Sequence, residues 1–179
     1  MTGGEKRNII LCGFMATGKS SVGKQLAALL GYEFLDMDAA IEADAGQTIP
    51  QIFSSRGEPA FRALESQMVE RVAGKAGCVV ATGGGTIANP QNIEKLKRCG
   101  VIITLTADIE TILLRVGTGD DRPMLGQGDR FERIRRLMQK RAPFYAQADI
   151  VLDTSSLSVE EAARRIAARL RGAGFCGRP

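Results

Sequence analysis

The sequence predicts an α/β fold of three layers, with helices on both faces of a five-stranded parallel sheet, and three observations carry that prediction. Five short apolar runs recur along the chain, each separated from the next by a stretch with helical spacing, and such alternation builds parallel sheets through crossover helices. One of the runs contains Val101-Ile102-Ile103, apolar without a break, as in a strand covered on both faces. The first run leads directly into Gly13-Phe14-Met15-Ala16-Thr17-Gly18-Lys19-Ser20, and this GxxxxGKS pattern, placed between a strand and a helix, is that of a phosphate-binding loop.

The strands are expected at 8–12, 33–37, 78–81, 101–105 and 149–152. After the first, the loop glycines let the backbone turn tightly and aim N–H groups at phosphate oxygens. Lys19 adds a point charge for the β- and γ-phosphates, the Ser20 hydroxyl can ligate Mg²⁺, and the dipole of the helix that follows favours the same anion. The second strand is read through Asp36 to Asp38. Strand side chains alternate, so these two carboxylates face one site at the carboxyl end of the sheet while Met37 points to the opposite layer. An N-cap role for one of them, ahead of the helical pattern 39–45, stays open.

Arg62 and Glu65 lie three apart on a helical segment that also carries Phe53 and Phe61, and by themselves read as a surface ion pair over buried aromatics. The third strand runs into Thr82-Gly83-Gly84-Gly85, whose bare backbone lets a polar ligand approach closely. Glycines at both ends of the polar stretch 117–128 make it a candidate mobile lid, which would carry Arg122 onto a transferring phosphate. In 130–141, Phe131, Ile134, Leu137 and Met138 form an apolar stripe beneath a basic face. The proline of Arg141-Ala142-Pro143-Phe144-Tyr145 suggests a kink that aims Arg141 inward. Ser158 and Glu161 form a capping-box pattern for a last helix, and 172–179 reads as a loose tail.

Composition bounds the rest. With 179 residues, 44% of them hydrophobic, the chain suits a single domain with a core over about 8–170. The polar N-terminus and the lack of a long apolar run point to a cytoplasmic protein without a membrane segment. The four cysteines lack CxxC spacing, and the two in expected buried strands read as small core residues, not as disulfides or zinc ligands. There is no histidine, so acid–base chemistry must rest on carboxylates, lysine or tyrosine. A net charge of +4 suits anionic small molecules, and with two tyrosines and no tryptophan the chain offers few stacking platforms for nucleic acid.

Taken in order and spacing, GxxxxGKS, the Asp36-Met37-Asp38 pair, Gly57-Glu58-Pro59-Ala60-Phe61-Arg62-Ala63-Leu64-Glu65, Thr82 to Gly85, Arg122-Pro123-Met124-Leu125 and Arg141 to Tyr145 closely resemble shikimate kinase over residues 8–170. The resemblance implies the nucleoside monophosphate kinase-like P-loop fold, and transfer of the ATP γ-phosphate to the 3-hydroxyl of shikimate with Mg²⁺. It implies a nucleotide site made of Gly13, Ala16, Thr17, Gly18, Lys19, Ser20 and Ser21 with Arg115 on adenine and Arg122 on the phosphates, and metal support from Ser20 and Asp36. Asp38 would be the base. Lys19 and Arg122 would share in catalysis, and Arg62 and Arg141 would hold the substrate carboxylate. Gly83, Gly84, Gly85, Phe53 and Phe61 would wall the pocket. Family habit also implies a monomer. Two departures stand out: Ala16 replaces a common third loop glycine, and Asp153 to Ser156 lacks the arginine that relatives often place near adenine. Among rivals, a sugar-acid kinase would not need these motifs together, a nucleoside monophosphate kinase would need base-reading residues, and a guanine-nucleotide switch would need NKxD, which is absent.

Overall fold

The computed structural model describes residues 7–116 and 129–175. Five parallel strands, β1 (Asn8–Gly13), β2 (Glu33–Asp36), β3 (Cys78–Ala81), β4 (Gly100–Thr106) and β5 (Ile150–Asp153), form one sheet in the order β2-β3-β1-β4-β5. Central β1 aligns Leu11 with Ala81 on one side and with Ile103 on the other. The chain moves in opposite directions from β1 to β3 and to β4, which opens a crevice at the carboxyl end of β1. The phosphate-binding loop occupies that position.

Alternation along β1 divides the core. Ile9 and Leu11 face one layer with α1 (Lys19–Leu30) and α7 (Val159–Gly172), through Leu26, Ile166 and Leu170. Ile10 and Cys12 face the other, with α2 (Met37–Ala45), α3 (Ile49–Ala73), α4 (Pro90–Cys99), α5 (Ile109–Val116) and α6 (Arg130–Tyr145). Both faces of the sheet are therefore covered, as its unbroken apolar strands require. Cys12 and Cys78 are buried, in keeping with the core reading.

Several boundaries differ from the sequence reading. The second strand stops at Asp36, and Met37 and Asp38 belong to the first turn of α2, because the Asp36 carboxylate accepts from the amides of Asp38 and Ala39 and caps that helix. Phe131 is 42% exposed, so the stripe on α6 is anchored chiefly by buried Ile134. At the carboxyl end the capping box of Ser158 and Glu161 is present. Gly172 still belongs to α7, and Phe175 packs on the core with the Arg7 guanidinium over its ring, so those residues are held and not a loose tail. Residues 176–179 of that expected tail, and the expected lid 117–128 with Arg122, lie outside the described residues. Among the described residues no helix is long and apolar enough to cross a membrane.

Helix α3 contains the bend that shapes the site. Thr48 and Gln51 form its capping box, and six residues past Gln51, Gly57 leaves the helical region at φ 77°, ψ 170°, a conformation open to glycine and costly for other residues. The second half then restarts, and Glu58, Phe61, Arg62 and Glu65 come out on one helical face, opposite Phe53 of the first half.

Candidate active site

The nucleotide end follows from β1. Gly18 is the N-cap of α1 in the left-handed region; no side chain caps this helix and no acid lies in its first turn, so its amides and positive dipole end are left to an anion. The Lys19 ammonium donates to the carbonyls of Gly13 and Phe14 at 3.1 and 2.8 Å, and Thr17 is buried with its hydroxyl on the Phe14 carbonyl. Ser20 and Ser21 are exposed in the first turn of α1. Ser20 donates to Asp36 Oδ2 at 2.5 Å.

Ala16 adopts φ 59°, alone among the described non-glycine residues in having a positive value. The loop therefore keeps a left-handed turn although a methyl group is present. Left-handed backbone costs an L-residue about 1–2 kcal/mol, and glycine gives back about 0.5–1 kcal/mol through unfolded-state entropy. Ala16→Gly is accordingly expected to raise the melting temperature by a degree or more without weakening ATP binding; a lower melting temperature in a thermal melt would contradict the strain.

Arg115 reaches the same loop. Its guanidinium donates to the Ala16 carbonyl at 3.3 Å and to the Thr154 carbonyl at 2.8 Å. Buried Thr154 places its hydroxyl 3.0 Å from the carbonyls of Thr17 and Thr106. The segment after β5 is thus stitched to the phosphate-binding loop. Sequence reasoning gave Thr154 no such part.

Beside the loop lies a cavity of about 290 Å³ that brings together Lys19, Asp38, Phe53, Phe61, Arg62, Gly83, Gly84, Gly85 and Arg141 from the sequence reading. Met15, Glu42, Ile49, Pro50 and Glu65 also line it, and none had been assigned there. Phe53 and Phe61 pack with ring centroids 5.0 Å apart. Asp38 Oδ1 is buried and has no hydrogen-bond partner among the described residues. Burial, with Asp36 and Glu65 nearby, pushes the Asp38 carboxyl up to about 6 from 3.8, and Lys19 opposes the rise. An unpaired buried acceptor of this kind is suited to a ligand hydroxyl.

The ion pair of Arg62 with Glu65 is not a surface pair. Glu65 is 1% exposed and accepts from Arg62 Nη1 at 2.6 Å and from the Thr86 hydroxyl at 2.7 Å. Glu58 takes the Nε and Nη2 edge of the same guanidinium. Burial works against the charged arginine, but its bonds to Glu65 and Glu58 outweigh that and hold its pKa above the ordinary value. The glycine turn is bare because these groups crowd it: a Cβ on Gly83 would lie 2.6 Å from Glu65 Oε1 and 2.8 Å from Asp38 Oδ1, and one on Gly85 would lie 2.5 Å from Arg62 Nη1. Arg141 enters from α6, its guanidinium carbon 5.8 Å from the centroid of Phe14.

The family model for shikimate kinase matches residues 15–171. Shikimate kinases of Geobacter metallireducens and Pelotomaculum thermopropionicum are each 45% identical to this chain, over 93% and 89% of it and 93% of their own lengths. Among solved structures, the shikimate kinase of Acinetobacter baumannii in complex with shikimate superimposes with a TM-score of 0.90 at 36% identity, covering 94% of both chains. Thymidylate kinase of Candida albicans, at 13% identity and a TM-score of 0.60, shares the fold alone.

Proposed function

Since this chain belongs to the shikimate kinase family and is a kinase that phosphorylates shikimate with ATP, we propose that its cavity holds shikimate with the 3-hydroxyl at Asp38 and the carboxylate at Arg62 and Arg141. The observation that carries this reading is the buried, unpartnered Asp38 Oδ1, in a cavity shared with Lys19 and both arginines. Asp38 accepts or orients the hydroxyl proton. Lys19 leaves the carbonyls of Gly13 and Phe14 for the β- and γ-phosphates, and the amides at the start of α1 take the remaining oxygens. Arg115 lies against adenine, and Arg122 closes from the lid. Phosphoryl transfer needs little covalent help, so alignment and charge neutralisation are the main contributions.

The donor set fits Mg²⁺. Ser20 and Asp36 present hard oxygens in contact with each other, and a magnesium ion needs only one or two carboxylates when phosphates and water complete its shell. Bound there, it would neutralise the transferring phosphate. The rest of the reading is a monomeric cytoplasmic enzyme of one domain with a lid, acting on small molecules and not on nucleic acid or membranes.

The test is release of ADP from MgATP by the purified protein with shikimate, gluconate, quinate or AMP as acceptor. Stimulation by shikimate alone supports the assignment; turnover with another acceptor in its place refutes it. Arg62→Lys loses the planar fork and its bonds to Glu58 and Glu65, and should raise the apparent KM for shikimate about tenfold. An effect confined to the KM for ATP would remove Arg62 from the acceptor site.

A further inference from the structure

Tyr145, the last residue of α6, is buried, and its hydroxyl donates to the Gly84 carbonyl at 2.7 Å. Its own carbonyl, one of those a helix end leaves without an intrahelical donor, accepts from the Thr104 hydroxyl of β4 at 2.9 Å. Side chain and backbone are thus pinned separately, the first to the glycine turn and the second to the sheet. Arg141 stands one helical turn earlier on the same face, and its guanidinium lies beside Gly84, near enough to the Tyr145 hydroxyl to act on it. Burial, opposed by Arg141, pushes the phenol up to about 12, so it remains a donor. Around Gly84 the space is full: a Cβ would lie 3.0 Å from Arg141 Nη1, 3.7 Å from the Gly13 carbonyl and 3.8 Å from the Tyr145 hydroxyl. The hydroxyl therefore holds the glycine wall of the cavity at the point where an acceptor-site arginine and the phosphate-binding loop also come close.

We propose that Tyr145 is a positioning residue for the acceptor: its hydroxyl fixes Arg141 and Gly84 relative to each other, so that the carboxylate arm and the glycine wall keep one spacing. The proposal rests on the reading of Arg141 as a carboxylate ligand. A long arginine side chain has many rotamers, and binding energy is lost if the ligand must select one of them. The tether makes that selection in advance. Phenylalanine at this position would fill the same core volume and release Arg141 and Gly84 together.

The test compares the parent with Tyr145→Phe, Arg141→Lys, the double variant and Thr104→Val, each checked for folding by circular dichroism. Tyr145→Phe is expected to raise the KM for shikimate about tenfold, the size of one lost hydrogen bond, while the KM for ATP stays within about twofold. In the double variant the KM for shikimate should match that of Arg141→Lys, because the hydroxyl acts through Arg141. Thr104→Val, which removes the hydroxyl bonded to the Tyr145 carbonyl and to the Cys12 thiol and leaves the Tyr145 hydroxyl untouched, should lower the melting temperature and leave the KM for shikimate unchanged. A Tyr145→Phe protein that melts earlier but binds shikimate normally overturns the positioning role alone, as does a fully additive double variant. An Arg141→Lys protein with unchanged KM for shikimate overturns the carboxylate reading and the proposal with it.

Discussion

Asp38→Asn is expected to lower turnover by about 10² or more, the scale of a positioned base, and at the same time to make the protein more stable. The two effects have one source. The Asp38 carboxyl is pushed up to about 6 by burial and by Asp36 and Glu65. A raised folded-state pKa means that the stability associated with this group is complete below its ordinary value of 3.8 and is lost as pH climbs through about 6. At neutral pH the ionised side chain therefore costs up to about 3 kcal/mol. Asparagine has nearly the same shape and cannot ionise, so thermal melts at pH 7.5 should show a gain of several degrees. At pH 4 the gain should shrink. The acid limb of kcat/KM in the parent should have its midpoint near 6 and be absent from the variant's residual activity. Unchanged turnover would remove Asp38 from the chemistry, and a lower melting temperature would mean that its ionised form is not strained in the free protein.

Glu65→Ala should have the largest effect on stability. Its carboxylate holds Arg62 and Thr86 together from a position that water does not reach. Truncation leaves the Thr86 hydroxyl buried without an acceptor, leaves Arg62 only the partly exposed Glu58, and opens a cavity. Removing one partner of a buried pair costs about 3 kcal/mol or more, which corresponds to a fall in melting temperature of about 10 °C for a protein of this size. The KM for shikimate should rise in parallel, since Arg62 then shifts toward Glu58. Glu65→Gln, which restores the volume and one acceptor, should recover part of both losses. A Glu65→Ala protein that melts with the parent would show that the bridge contributes nothing to the fold.

Most of the nucleotide end was legible in the sequence because its chemistry is local. Gly13 to Ser20 is a contiguous loop whose spacing places glycines, lysine and serine on one anion wherever a strand precedes it and a helix follows. The acceptor end was legible only in part. Arg62, Arg141 and the three glycines line one cavity, as expected, but Glu65 was read as half of an exposed pair, because helical spacing gives the face of a helix and not what packs on it. Asp38 lines the cavity and Asp36 contacts Ser20, but through a geometry other than the one expected. Alternation along a strand was assumed, whereas Asp36 ends the strand and caps α2, and Asp38 is the second residue of that helix.

By itself the sequence determined the fold class, the phosphate-binding loop and the family, since each is carried by periodicity or by residues close together in the chain. Tertiary structure alone decided how far Asp38 is desolvated, that Glu65 is a buried bridge, that Arg115 and Thr154 stitch the segment after β5 to the loop, and that the Tyr145 hydroxyl reaches Gly84. These joins link positions from 21 to 137 residues apart in the chain. Desolvation and hydrogen bonding act through space, and no local pattern records which distant groups the sheet will bring together.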